Sequence, residues 1–282
     1  MRAGGSRTKE ARRRLSLSDS YWVKYDNDNV DFEAITPYLN PFSELLMQHG
    51  HRRSNSIPEI VLGGSQPKKW VRDKDKSLYI EKILLPEQVE VEMRAVRLAR
   101  LCNVKVMNAF VKTSKGRVYA DNFTKLKEQI GVINLVNISN LNRSLIQFDY
   151  LGIGVNGYDI KNVVEAYKRA GVERDVGQIT LTQIVFDTVV GNIDRKSNNS
   201  NWAVFLDHGT GERIPSSMYD FNWASTKYSD EKMIKEVAVG IKSARMEEEA
   251  KILTETIGEN SRALKFTQWA ENAAKLVALL KS

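Results

Sequence analysis

Asp194, Lys196 and Asn199 stand at D-x-K-x-x-N spacing in the segment Val189-Val190-Gly191-Asn192-Ile193-Asp194-Arg195-Lys196-Ser197-Asn198-Asn199, directly after a stretch with helical periodicity. These residue types at this spacing suit phosphoryl transfer. The carboxylate accepts a hydroxyl proton, the ammonium neutralises the migrating group, and the amide oxygen holds Mg²⁺. Asp220, in Ser217-Met218-Tyr219-Asp220-Phe221-Asn222, follows 26 residues after Asp194 and offers a second hard oxygen ligand for the cation. Phe221 completes Asp-Phe as in D-F-G, with Asn222 in the glycine's place; Asn is the next most tolerant residue of positive φ.

Three upstream features belong to the same chemistry. Gly63, Gly64, Ser65 and Gln66, followed by Pro67 and Lys68, form a turn between strands where backbone N–H groups can approach and cradle phosphates. Lys82 lies on an alternating stretch, on the same face as Leu78, Ile80 and Leu84, and can reach the α- and β-phosphates of ATP. Glu92 lies on the inward stripe of the next helix and can fix that ammonium. Each feature alone occurs by chance in turns, strands and helix faces. Their order along the chain is the one a kinase fold requires, and chance agreement of all five is far less common than of any one.

The elements that must position these groups follow from local pattern. A strand is expected at 60–62, a return strand from Trp70, a strand over 77–84, a helix over 87–102, and a strand over 104–111 before a hairpin turn at Gly116. Beyond about residue 123 helical patterns dominate, notably 160–170 and 180–190. The one β region expected there is Trp202 to Leu206 with a return through Met218 and Tyr219. The end, 230–282, reads as amphipathic helix. Strands with one helix first and helices later give an α+β class: a bilobal, protein-kinase-like fold with a small β-rich N-lobe and a larger helical C-lobe. The expected divisions are a basic tail over 1–14, the N-lobe over 15–111, and the C-lobe over 112–282.

Composition sets outer bounds. With 282 residues and 42% apolar content the chain can bury a substantial core. The single cysteine, Cys102, rules out an intramolecular disulfide framework and suits a cytoplasmic protein; it falls on the helix's apolar face as a packed residue. The apolar run Ile184 to Gly191 is interrupted by Asp187 and Thr188, so no membrane span is expected, and the basic start lacks the apolar core of a signal peptide. Arg2, Arg7, Lys9, Arg12, Arg13 and Arg14 against Glu10 account for five of the seven net positive charges. The body is nearly balanced, and nucleic acid is expected to touch at most the tail, weakly. His49, His51 and His208 could be assembled into a metal site on paper, but His49 and His51 sit in a basic loop with no nearby acidic or thiol partner, and zinc is not expected.

Gly64-Ser65-Gln66-Pro67-Lys68, Phe186-Asp187 through Gly191-Asn192-Ile193-Asp194-Arg195, and Met218-Tyr219-Asp220 together resemble the HipA-like kinases, in the G-x-Q-x-K, F-D…G-N-x-D-R-H and P-x-Y-D segments of that family. Leu15 to Val23 and Asn40-Pro41-Phe42 are similar to the opening of a phage or prophage-type branch. The resemblance runs in islands from about residue 15 to 225. Lys196 replaces the family's usual His, and Ser217-Met218 lacks its Pro. The family's pattern after the metal-binding Asn is matched by Asn201-Trp202-Ala203-Val204 better than by Asn199-Ser200, which makes Asn201 the alternative ligand to Asn199. The resemblance implies ATP and Mg²⁺ as cofactors and a protein Ser or Thr hydroxyl as acceptor. A catalytically silent nucleotide-binding module, a lipid kinase and a nucleic-acid-binding protein led by the basic arm are the competing readings.

Overall fold

The computed structural model describes residues 68–72, 78–113, 116–120, 132–135, 143–155, 157–174, 176–207, 210–227 and 229–282. The basic tail, the aromatic opening, the glycine turn at 63–66 and all three histidines lie outside these residues.

Five antiparallel strands form the first sheet, in the order β1-β2-β5-β3-β4. They are β1 (Lys68–Arg72), β2 (Leu78–Ile83), β3 (Ala109–Thr113), β4 (Gly116–Tyr119) and β5 (Val132–Leu135). Register sets Lys68 opposite Lys82, and Lys82 in turn opposite Ile133. The hairpin of β3 and β4 is fixed by the cross-strand pair Phe110 and Tyr119, whose ring centres lie 5.5 Å apart.

Helix α1 (Pro86–Leu101) connects β2 to β3. Pro86 suits its first position because the missing N–H would have no partner there, and the Gln88 side chain accepts the Leu85 N–H at 3.1 Å. Its inner face buries Val89, Glu92, Met93, Ala95, Val96, Leu98 and Ala99. Glu92 is the one acid in that apolar row. The strand expected at 104–111 begins only at Ala109; the residues before it pair with a distant segment, Val106 bridging Met218 in parallel.

A second sheet, β6-β7-β8, is made from β6 (Arg143–Gln147), β7 (Ala203–Asp207) and β8 (Arg213–Pro215). The further helices among the described residues are α2 (Ile160–Arg169), α3 (Gly177–Val190), the single turn α4 (Asp194–Ser197), α5 (Glu231–Ala244), α6 (Glu247–Ala263) and α7 (Thr267–Lys281). Asp159 caps α2 by accepting the Asn162 N–H at 3.0 Å, and Asp230 caps α5 by accepting the Met233 N–H at 2.9 Å.

Helix α3 is the axis of the helical region. It touches α2, α5, α6 and α7, and ten of its residues, from Thr180 to Val190, are buried. A helix apolar on all sides must be surrounded, which explains why Asp187 and Thr188 end up inside. Gly191 ends the helix with φ 68°, where a Cβ would come within 3.4 Å of Ser225.

Two strands depart from the sequence expectation of a single β region after residue 123. Val132–Leu135 enters the first sheet between β2 and β3, and Arg143–Gln147 pairs with β7. Short apolar runs carry no decisive periodicity, and pairing partners distant in sequence settled their conformation. The first sheet therefore extends past residue 111, where the expected boundary falls. Among the described residues no helix is long and apolar enough to cross a membrane.

Candidate functional site

Lys82 and Asp220 form an ion pair, Nζ to Oδ1 at 2.6 Å, with both residues buried. Strand β2 delivers the lysine. Asp220 arrives at the end of a segment held by backbone bonds to the loop after α1, the Met107 N–H donating to the Met218 carbonyl and the Met218 N–H to the Lys105 carbonyl, each at 2.9 Å. The backbone of Asp220 is left-handed, with φ 64°. A non-glycine residue in that region is uncommon and is sustained only where its surroundings hold it. Sequence reasoning placed the tolerance for positive φ at Asn222; in the structure Asp220 takes it, and Asn222 is buried behind it.

Glu92 closes this corner from α1. Its Oε2 accepts the Phe221 N–H at 2.7 Å, across 129 residues of chain, while Oε1 has no hydrogen-bond partner among the described residues. Burial pushes its carboxyl up to about 7. The negative charge of Asp220 adds to the rise, and Lys82, the Phe221 N–H and Arg195 oppose it. The expected partnership of Lys82 with Glu92 thus takes a different form. The lysine's ion pair goes to Asp220, and Glu92 anchors the backbone next to it.

On the opposite side lies the turn after α3. Asp194 is half-buried, and its Oδ2 accepts the Asn201 side-chain amide at 2.7 Å. Asn199 faces elsewhere: its Oδ1 accepts the Val155 N–H at 2.8 Å, pinning the segment 152–155 to the turn. Lys196 extends to Glu236 on α5, with which it forms an ion pair and hydrogen bond. Gly63, Gly64, Ser65 and Gln66 lie outside the described residues, and Lys68 is described as the first residue of β1, in register with Lys82.

Arg195, passed over in the sequence reading except as a motif letter, is the buried hub of this region. Its Nε donates to Asp187 Oδ2 at 2.7 Å, its Nη1 to the Asn201 carbonyl, and its Nη2 to the Tyr219 carbonyl at 2.6 Å. Trp202, Tyr219 and Phe221 set their rings around the guanidinium. Asp187 is satisfied in turn by the Asn192 amide at 3.0 Å and by the Tyr158 hydroxyl, which lies 2.8 Å from both Asp187 Oδ2 and the Asn192 carbonyl. Burial raises the Asp187 carboxyl, with Arg195, Asn192 and Tyr158 pulling it back. Desolvation would lower the Arg195 guanidinium, but Asp187, Tyr158 and Tyr219 around it raise it. The signal that could have found Arg195 is the Asp at 187, one acid inside an otherwise apolar helix, which demands a buried cation.

The residues thus brought together are Lys82, Glu92 and Asp220 in one corner, and Asp194 with Asn201 in the other. Arg195 and Asn192 join the two, the Asn192 amide reaching the Asp220 carbonyl at 3.5 Å. Oxygen donors from a carboxylate and an amide fit a hard divalent cation. The Asn201 amide nitrogen faces Asp194, so its oxygen is the atom that could take a cation. Among the described residues no group of three or more His, Cys, Asp and Glu is gathered as a metal site, so a cation here would take few protein ligands, as Mg²⁺ does beside phosphates.

Residues 60–279 match the family model described as HipA-like C-terminal domain. Among solved structures, the Helicobacter pylori proinflammatory kinase CtkA aligns at 13% identity with a TM-score of 0.46, over 76% of this chain and 92% of that one. A chain from the Shewanella oneidensis MR-1 toxin–antitoxin complex of HipA, HipB and operator DNA aligns at 14% identity with a TM-score of 0.47, over 85% of this chain and 70% of that one. No curated protein matches.

Proposed function

The chain belongs to the family of HipA-like C-terminal domains, and on that premise we propose that it transfers the γ-phosphoryl group of ATP to a Ser or Thr hydroxyl of a protein, leaving ADP. The observation that carries the reading is the convergence of Lys82, Glu92 and Asp220 from three distant segments beside the Asp194–Asn201 pair.

In this reading the first sheet through β5, with α1, forms the N-lobe and the remainder the C-lobe, with the reacting groups between them. Asp220 and Asn201 would hold Mg²⁺, and Asn199 supports the turn from outside. Bound Mg²⁺ supplies positive charge against the phosphate oxygens and orients them. Lys82 leaves Asp220 for the phosphates, joined by the backbone of the glycine turn at Gly63, Gly64, Ser65 and Gln66 and by Lys68. Glu92 keeps the Phe221 backbone, and so Asp220, in place. Asp194, held by the Asn201 amide, orients the acceptor hydroxyl and takes its proton, while Lys196 leaves Glu236 to offset developing charge. Positioning and electrostatics supply most of the acceleration.

A silent nucleotide-binding module is the second reading. It is favoured by the Lys82–Asp220 pair, in which the two groups needed for phosphate and metal neutralise each other. Incubation with γ-labelled ATP, Mg²⁺ and cell lysate separates the two. Labelled protein that disappears with EDTA supports transfer. Thermal stabilisation by Mg·ATP without labelled product supports the silent module, and neither response rejects both.

A further inference from the structure

The turn at 194–197 points three consecutive side chains in three directions. Asp194 meets the Asn201 amide, Lys196 meets Glu236 on α5, and Arg195 goes inward until it is 1% exposed. Its three nitrogens take three acceptors on three separate segments. Two of these are backbone carbonyls, and each belongs to a stretch that carries a proposed metal ligand: Asn201 itself, and Tyr219, the residue immediately before Asp220. The third, Asp187, ties the guanidinium to the central helix α3. A fork of this kind fixes distance and angle together. A lysine at the same place reaches one acceptor and leaves the others unpaired.

Asp220 has special need of such support. With φ at 64° its backbone sits where a non-glycine residue relaxes unless its flanks are held. On one flank Glu92 accepts the Phe221 N–H, and on the other Arg195 donates to the Tyr219 carbonyl.

Resting on the function proposed above, we propose that Arg195 is a positioning residue that sets the span between the Asn201 and Asp220 ligands. Its loss weakens the cation site while leaving metal-free nucleotide binding intact. A purely structural residue of the same burial lowers stability without selecting the metal.

The test uses the full chain with Mn²⁺ as the probe and ADP as the nucleotide, so no turnover is read. Free Mn²⁺ is followed by electron paramagnetic resonance in the presence of ADP, and metal-free ADP binding by calorimetry. Two variants are compared with wild type. Arg195→Met/Asp187→Asn removes the buried charges together and keeps a polar partner for Tyr158 and Asn192. Arg195→Lys keeps the charge and removes the fork, and stands in if the double variant does not fold. Leu276→Ala, fully buried on α7 and bonded to none of the proposed site residues, is the control for lost stability.

The expected result is a loss of Mn²⁺ affinity by about 10- to 100-fold in both Arg195 variants, the range seen when groups supporting metal ligands are removed. Metal-free ADP affinity stays unchanged, and the control keeps wild-type Mn²⁺ affinity. Wild-type Mn²⁺ affinity in a folded Arg195 variant overturns the inference alone, as does an equal loss in Leu276→Ala. A wild-type chain that takes up neither ADP nor Mn²⁺ overturns the proposed function and this inference with it.

Discussion

The Asn201 side-chain amide donates to Asp194 Oδ2 at 2.7 Å, whereas Asn199, two residues earlier, commits its Oδ1 to the Val155 N–H. The D-x-K-x-x-N spacing points to Asn199 as the metal ligand; the geometry favours Asn201. Asn201→Ala is expected to raise the Mg²⁺ concentration needed for half-maximal transfer roughly tenfold or more. Asn199→Ala leaves that concentration nearly unchanged and costs about 1–3 kcal/mol of stability, because the Val155 N–H loses its acceptor. Mg²⁺ titrations and denaturant melts of both variants check this. A larger Mg²⁺ effect from Asn199→Ala would reverse the assignment.

The Lys82–Asp220 pair makes a prediction about stability. Removing one member of a buried pair strands the other, at about 3–5 kcal/mol, whereas removing both costs less. Glu92 is near enough for the Lys82 charge to act on its carboxyl, so Asp220→Asn should fall at the lower end of that range. Lys82→Met/Asp220→Asn should then be more stable than Asp220→Asn alone. Urea melts of the two single variants and the double variant provide the cycle. Strict additivity would contradict a coupled pair.

The pH dependence of stability follows from Glu92. Its folded carboxyl sits near 7, above the ordinary 4.5, so the folded state favours the protonated form. The stabilisation linked to that proton is fully present below about pH 4.5 and is lost as pH rises through about 7. Glu92→Gln removes this contribution. The stability of wild type relative to Glu92→Gln should therefore decline between about pH 4.5 and 7, measured by melts at fixed ionic strength. A difference that grows over that window would contradict the buried, raised carboxyl.

Cys102 is buried, and its thiol is pushed up to about 11 by desolvation. Near pH 8 it is almost wholly protonated, and alkylation proceeds through the thiolate. Iodoacetamide should modify the native protein far more slowly than the urea-unfolded chain, as read by intact mass. Equal rates would place the thiol at the surface.

The residues to which the proposed chemistry is assigned were legible because charged groups at fixed spacings are local signals. Asp194, Asp220, Lys82 and Glu92 could all be named from the string, and helix α3 announced itself by its length and apolar content. What the string hid depends on partners remote in sequence. Strand β5 is a four-residue run whose identity comes from pairing with β2 and β3, and β6 likewise owes its form to β7. Arg195 escaped because its role lies in what surrounds it: two carbonyls and a carboxylate that the chain collects only on folding. The sequence left Asn199 and Asn201 both open as the metal ligand, and the proposal of Asn201 rests on the side-chain bonds made around a single-turn helix and a 3₁₀ turn at Asn199–Asn201.

The most direct measurement pairs Asp194→Ala with wild type in two assays: transfer of label from γ-labelled ATP to protein, identified by mass spectrometry, and Mg·ADP binding by calorimetry. Asp194 touches Asn201 but lies outside the Lys82–Asp220 corner, so the account predicts abolished transfer with nucleotide binding retained. Undiminished phosphorylation by Asp194→Ala, or unmodified Ser and Thr with an active wild type, would contradict it.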